Sequence, residues 1–576
     1  MPRRSWKLLN AACGVLAAAT FAHQAVASDD VLDVMQGEMD RSLAVLGGEP
    51  VPVYYLSYEV TEERSEVLAA SFGAMIARQT SDRRILDVDL RVGSYDLDNT
   101  HPLREARFGG GRRSSRVQVS VSDPDSLRAA IWLETDRNYK NATERLTRIK
   151  TDVEVTVREQ QEHVADFSAE PPEQASEPLV DMVLDDGEWE HRLKEYSAAF
   201  ADSPGVYSAT ASLSVASVTR WYVNSEGARI RTVEPRARLF VSSQTKAEDG
   251  MELPRFESYF AFSPEGLPGH DEVLAAVRSM VGDLRALREA PMAEPYTGPA
   301  ILSGRASGVF FHEILGHRVE GHRQRSEQDA QTFKKMLGDN VLPEEFSVVF
   351  DPTVSRAEST DLAGTYRFDN QGVRARRVPV IESGVLKGFL MSRTPIEGFA
   401  RSNGHGRKQP GLAPVSRQSN LFVEVRNPAG SDELKARMIG MLKEAGKPYG
   451  LYFDDIRGGF TTTRRGTPNA FNVMPVMVYR VYVDGRQELV RGVDLIGTPL
   501  TTFSQVAAAS DEIGVFNGIC GAESGGVPVS AIAPEVLISQ IEVQKQQKSQ
   551  DPIPVLPAPP ATRGIAVVQV TSRDSP

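Results

Sequence analysis

The stretch His312-Glu313-Ile314-Leu315-Gly316-His317 constrains this chain more than any other. It sets two imidazoles around a carboxylate inside an apolar run, with Val309-Phe310-Phe311 before it and Ile314-Leu315 within it. Neutral imidazole nitrogen is a good ligand for zinc, and a neighbouring Glu takes a proton from water that the metal activates. The spacing is H-E-x-x-x-H, one residue longer than the familiar H-E-x-x-H. Each helical residue turns about 100°, so positions i and i+4 nearly share a face while i and i+5 lie roughly 140° apart. Two ligands for one ion do not converge from an undistorted helix at that spacing. The helix must either widen by one residue, as in a π-bulge, or end between the histidines. Gly316 is a helix-weakening residue at the place where the distortion is needed. Random placement of 9 histidines and 77 acids in 576 residues gives roughly 0.02 matches to this pattern. The competing reading is a plain helix with two satisfied histidines and a solvated Glu.

A chain of 576 residues exceeds one hydrophobic core and implies two or more domains. Hydrophobic content of 41% and charged content of 25% are those of a globular protein. Residues 1–27 read as an export signal. Arg3, Arg4 and Lys7 form a basic start, Leu8 to Phe21 is mostly apolar, and Ala25-Val26-Ala27 supplies the small residues of a cleavage site. The paired arginines resemble a twin-arginine leader, although Pro2 and Trp6 depart from the usual pattern. The expected location is therefore outside the cytoplasm, in the periplasm. The net charge is −12, and loss of the leader's three basic residues and no acid takes it to about −15. Such an acidic chain is a poor binder of nucleic acid or anionic membrane, and no apolar run after the leader reaches spanning length.

Of the two cysteines, Cys13 leaves with the leader, so Cys520 stands alone and no internal disulfide is available. A lone thiol in an exported chain is either a protected metal ligand or a small inert hydrophobe, and both readings stay open.

Along the chain, Val31, Met35, Met39 and Leu43 repeat at helical spacing. Strands are expected at 51–60, 72–79, 86–92, 206–223 and 229–243. A polar helix at 141–166 reads as a solvent-facing arm, and 272–288 reads as a helix with an apolar stripe. Pro291, Pro295 and Pro299 mark a domain junction. Hairpins follow around Ser383-Gly384 and Asp484-Gly485, with a closing strand at 530–544. Five prolines in 552–560 give an extended tail. The expected fold class is α+β in two domains. Residues 28–290 form an N-terminal α/β sandwich-like domain, and 291–546 form a mostly antiparallel β domain carrying the metal helix. The Pro-rich tail occupies 547–576.

The second half is similar to the TldD/PmbA family of metallopeptidases, in its metal-binding branch. The matching residues run in order from His312 through Gly321, then Ile381 to Gly388, Asn403 to Arg407, and Pro414 to Asn420. Arg457-Gly458-Gly459, Val490 to Gly497, Cys520-Gly521, Val527-Pro528-Val529 and Pro534 complete the set. The resemblance implies a zinc ion held by His312, His317 and Cys520, with Glu313 as general base. It also implies a dimer, either of this chain or with a related subunit, and a groove that admits unfolded peptide. His405 and Lys408 differ from the common loop.

Two imidazoles and a thiolate leave a fourth zinc position for water, as hydrolysis requires. Glu320, three residues beyond His317, either accepts that ring's free N–H or is a solvated helix-end acid. His322 is a fourth candidate ligand or a surface histidine. Arg407 and Arg417 are candidates to bind a substrate carboxylate or carbonyl, with an ordinary surface salt bridge as the alternative. Gly458 and Gly459 offer close backbone approach to an extended peptide, or simply a tight turn. The expected function is zinc-dependent hydrolysis of unfolded or short peptides. The alternatives are a non-catalytic peptide-binding module with a structural metal, and a maturation factor for one dedicated peptide.

Overall fold

The computed structural model describes residues 29–103, 117–155, 164–201, 203, 205–326, 328–466 and 470–546. The expected leader and Pro-rich tail lie outside the described residues. The chain is α+β, built on two large, mostly antiparallel sheets.

In the first sheet the long strands Ala74–Val92, Val53–Ser71, Val206–Asn224 and Arg229–Lys246 lie side by side. Glu252–Ala261 and the short Gln174–Ser176 both pair with the last of these, and Val117–Gln118 closes the far edge. Side chains alternate across a strand, so Leu56, Tyr58, Val60 and Leu68 share one face. That face is covered at one end by the helices Asp29–Leu46 and Pro124–Val155, and at the other by Asp186–Ala198 and His270–Glu289. The opposite face meets the second half of the chain. There Glu59 and Asp87, cross-strand partners, both pair with the buried ammonium of Lys408, 2.9 Å from Glu59. Tyr222 Oη donates to Gln371 O at 3.0 Å, and the Arg220 guanidinium donates to Asp369 O at 2.6 Å.

Two expectations need correction. Residues 72–79 are not a separate strand. The chain turns at Phe72-Gly73, both at positive φ, and runs on as one strand from 74 to 92. A two-residue turn of this kind matches the twist of a hairpin, but Phe is not a residue that announces it. The polar helix expected at 141–166 begins at Pro124, where Asp123 Oδ1 accepts from Asp125 N, and is described to Val155. It is no solvent-facing arm, because Leu127, Ile131, Leu146 and Ile149 bury one stripe of it.

The second sheet has eleven strands. Its spine is Gly525–Lys545, long enough to pair with Tyr296–Leu302, Asn420–Val425, Val493–Gly497 and Val506–Ala522. Through Phe471–Tyr482 and Tyr449–Thr461 the ladder returns to Tyr296–Leu302, so five strands close on themselves. The helix Gly304–Ile314 packs chiefly against Gly525–Lys545, Tyr449–Thr461 and Val506–Ala522, with Val309, Phe310, Phe311 and Ile314 in the core. Ser303 caps its start, accepting from Ala306 N at 3.2 Å. Among the described residues no helix is long and apolar enough to cross a membrane.

Candidate metal centre

The helix that carries His312 and Glu313 stops at Ile314, and a tight 3₁₀ turn over Gly316–Arg318 presents His317. Of the two solutions open to the spacing, the chain ends its helix rather than bulging it. The change of pitch brings the imidazoles together with ring centres 5.1 Å apart and planes at 82°. Gly316 has a second reason to be glycine: a Cβ there would lie 1.9 Å from Gln418 Oε1. The Gln418 amide fills that space and donates to His312 O at 3.3 Å, so it braces the end of the helix.

Cys520 reaches the histidines from the strand Val506–Ala522. Its Sγ lies 3.4 Å from His317 Nε2, and the donor atoms of His312, His317 and Cys520 all fall within 4.8 Å of one another. Ligands at zinc bond lengths of 2.0–2.3 Å in a tetrahedron stand about 3.6 Å apart. Burial opposes the Cys520 thiolate, but His317 and His312 outweigh it and hold the thiol well below its usual range. His317 is the counterpart. Burial disfavours its charge, yet Cys520 and Glu320 raise it well above the ordinary value. Such a thiolate and imidazole exchange their shared proton for a metal ion. Donor chemistry and spacing both fit zinc. Among the described residues this is the only cluster of three such donors that could hold an ion.

Glu313 stands beside the donors without being one of them. It is 6% exposed, and its Oε2 is a buried oxygen with no hydrogen-bond partner among the described residues. Burial pushes its carboxyl upward, against the pull of both histidines. The strand Tyr449–Thr461 passes directly over it. A Cβ on Gly459 would sit 2.8 Å from Glu313 Cγ, so glycine there leaves the carboxylate its room. Gly458 and Gly459 both line a cleft of about 570 Å³ that is walled also by His312, Glu313, His317 and Cys520.

Two arginines expected to bind substrate do something else. Arg417 is fully buried and donates to Glu320 Oε1 at 3.2 Å, Ser524 Oγ at 2.8 Å and Cys520 O at 2.6 Å. Glu320 Oε2 in turn lies 3.4 Å from His317 Nδ1 and accepts from Arg323 Nε at 2.9 Å. One guanidinium thus ties the His317 side of the site to the Cys520 strand. Burial opposes the Glu320 charge, but His317, Arg323 and Arg417 bring its carboxyl down to about 2. Arg407 is buried under Tyr366 and donates to Gln418 O at 2.6 Å and Pro528 O at 2.8 Å, which fixes the segment that braces the helix. His322 is neither a fourth ligand nor a surface group, because its Nε2 is hydrogen-bonded to the Glu523 carboxylate. His405 is buried and neutral, pushed down to about 3 by burial and the nearby Arg407.

The Arg417 network has a measurable consequence. Removing one partner of a buried pair leaves an uncompensated charge, which costs about 3–5 kcal/mol. Arg417→Met is therefore expected to lose stability of that order in urea unfolding. It should also bind zinc about 10- to 100-fold more weakly, the effect of losing an outer support of a ligand.

An α+β chain in which two imidazoles and a thiolate meet beside an unpartnered carboxylate, at the wall of an open cleft, has the layout of a metal-dependent hydrolase. Residues 295–545 match the PmbA/TldA metallopeptidase C-terminal domain, and residues 165–275 match the central domain of the same family. The chain belongs to the PmbA/TldD metallopeptidase family. It is 28% identical to a metalloprotease of Methanothermobacter thermautotrophicus over 59% of this chain and 70% of that one. It is 26% identical to a zinc metalloprotease TldD homolog of Saccharolobus solfataricus over 42% of this chain and about half (51%) of that one. The fold matches TldE of Thermococcus kodakarensis with a TM-score of 0.58 at 13% identity, covering 89% of this chain and 100% of that one.

Proposed function

We propose that the chain is a zinc-dependent peptidase acting on unfolded or short peptides, with His312, His317 and Cys520 as the metal ligands and Glu313 as the base. The observation that carries this reading is the convergence of the three donor atoms within 4.8 Å, two hundred residues apart in sequence, at the wall of the cleft. Bound there, zinc supplies Lewis acidity that acidifies water and polarises a carbonyl. Glu313 takes the proton of the attacking water at Oε2, the oxygen left without a partner, and passes it to the leaving amine. The raised carboxyl of Glu313 suits a group that must both accept and return a proton.

The cleft suits an extended chain. Among the described residues the strand Val506–Ala522 pairs along its length with Gly525–Lys545, and beyond a single bridge from Ala429 at Ser510 its other side carries no strand. The strand Tyr449–Thr461 pairs with Tyr296–Leu302 through Leu451 to Phe453, and among the described residues no strand flanks its later residues on that side. Both line the cleft, so a peptide added as a strand would lie along these two edges. A folded domain presents no free strand to such an edge, which is why unfolded or short peptides are the substrates proposed. A dimer of this chain, or a pairing with a related subunit, belongs to the same proposal.

The test is metal content together with casein hydrolysis. About one zinc per chain and hydrolysis abolished by chelator and restored by zinc are expected. Zinc bound at that ratio without hydrolysis of casein or of short peptides would leave the peptide-binding module with a structural metal in its place.

A further inference from the structure

The two walls of the cleft run in the same direction and are tied at one end. Arg323 donates from one guanidinium to Thr463 Oγ1 at 3.0 Å and to Glu523 Oε2 at 2.9 Å, joining the wall after Gly459 to the wall after Cys520. Counting six residues back along each wall reaches Arg457 on one and Asn517 on the other. At Asn517 the edge is occupied. Arg238, reaching over from the first sheet, donates from Nη2 to Asn517 O at 3.0 Å and is held by Ser258 Oγ, 3.2 Å from Nε. A peptide lying along this edge past Cys520 runs out of edge at Asn517, about 10 Å away at a strand rise near 3.3 Å.

Both arginines at that end line the cleft, and neither has a carboxylate partner among the described residues. Arg457 is exposed, and its Nη2 lies 3.7 Å from Met474 Sδ. Arg238 is half-buried and has Arg305 as its charged neighbour, a cation already engaged 3.4 Å from Asp455. A guanidinium removed from water beside a second cation is costly unless an anion arrives. The rest of the site does not behave this way. Arg323 and Arg417, nearer the metal ligands, are paired with Glu320, Glu523 and backbone carbonyls.

We propose that Arg238 and Arg457 form a carboxylate-recognition pair at the open end of the cleft. The chain then prefers peptides carrying a carboxylate within about three residues of the bond that is cut. The inference rests on the reading of the cleft as a peptide site and adds the chemistry of the peptide. A free C-terminus and an Asp or Glu side chain offer the same group.

The experiment uses the full chain, zinc-loaded, with Glu313→Gln to stop turnover. Three hexapeptides of one apolar sequence, each carrying the same uncharged BODIPY label on a blocked N-terminus, are compared by anisotropy. One ends in a free carboxylate, one is amidated with a single internal Asp, and one is amidated and neutral. At least one carboxylate peptide should bind about tenfold or more tighter than the neutral one, and the arm that gains identifies the source. Adding Arg457→Gln, a change at an exposed side chain, should remove most of that gain while leaving the neutral peptide unchanged. Adding Arg238→Gln should do the same, with zinc content and circular dichroism checking the fold. Equal binding of all three peptides, no binding by any, or a gain that survives both substitutions overturns the proposal. Because the readout is binding, it does not depend on Glu313 chemistry. A wild type that cleaves casein yet shows no carboxylate preference sinks this inference and leaves the peptidase reading standing.

Discussion

Glu313→Gln is expected to bind zinc as the wild type does and to lose about a thousandfold in peptide hydrolysis. The two outcomes separate because Glu313 is adjacent to the donors but outside them. The atoms that converge belong to His312, His317 and Cys520. An amide in the place of the carboxylate keeps the shape under Gly459, where the fit is tight, and removes only the capacity to accept a proton. The same substitution should raise thermal stability in the chelator-treated protein. A buried carboxylate oxygen without a partner costs about 1–3 kcal/mol, and the neutral amide is cheaper to bury. Activity lost and stability gained in one variant is what a strained functional group predicts. Zinc content, casein turnover and a melting curve on one preparation check all three. A variant that keeps its turnover would remove Glu313 from the chemistry. One that loses its metal would make it a ligand.

The distortion at this site was legible in the sequence because it follows from arithmetic on the helix: two ligands five residues apart must break it. The chain breaks it after Ile314. The convergence of Cys520 was not legible from spacing. Two hundred residues of intervening chain carry no local signal; the lone thiol left ligand and inert hydrophobe both open, and the ordered resemblance favoured the ligand. Arg407 and Arg417 were misjudged for a related reason. Their charge suggested exposure, whereas the run Ser416-Arg417-Gln418-Ser419-Asn420 is entirely buried. Sequence does not reveal that a polar loop is internal unless each group's partners are known, and here the partners are backbone carbonyls, Ser524 and Glu320. Gln418 falls within the matching loop but carries no expected role there, since its use lies in filling the space that Gly316 leaves.

The same limit explains the N-terminal half. Alternation found the strands 206–224 and 229–246 to within a few residues, because each presents one apolar face to the helices. It failed at 72–79, where the residues after the turn are mostly exposed and the pattern that would mark a turn is absent. It also failed on the helix Pro124–Val155, whose buried Leu127, Ile131, Leu146 and Ile149 are too sparse to outweigh its charged surface. The arginine at the cleft that comes from this half, Arg238, lay outside every motif. It belongs to the site only because the first sheet packs against the second.

Cys520→Ala is expected to abolish zinc binding at micromolar metal and, with it, hydrolysis. Four-ligand zinc sites in small domains are worth about 10–16 kcal/mol, so one ligand carries on the order of 3–4 kcal/mol, two to three orders of magnitude in affinity. A thiolate already held ionised by His317 and His312 should contribute at least that share. Loss of packing is a separate effect and a smaller one. Cys520 sits in a small cluster with Val527 and Val529, and removing its sulfur costs the fold about 1 kcal/mol. Val527→Ala serves as the control, because it thins the same cluster without touching a donor and should keep its zinc. Addition of zinc should raise the melting temperature of the wild type and of Val527→Ala but not of Cys520→Ala, since a ligand stabilises only the state that binds it. The Arg417 bond at Cys520 is made to the backbone carbonyl and survives the substitution, so the strand should stay in place. Zinc retained at full stoichiometry in Cys520→Ala would place the third ligand elsewhere and undo the assignment of this centre.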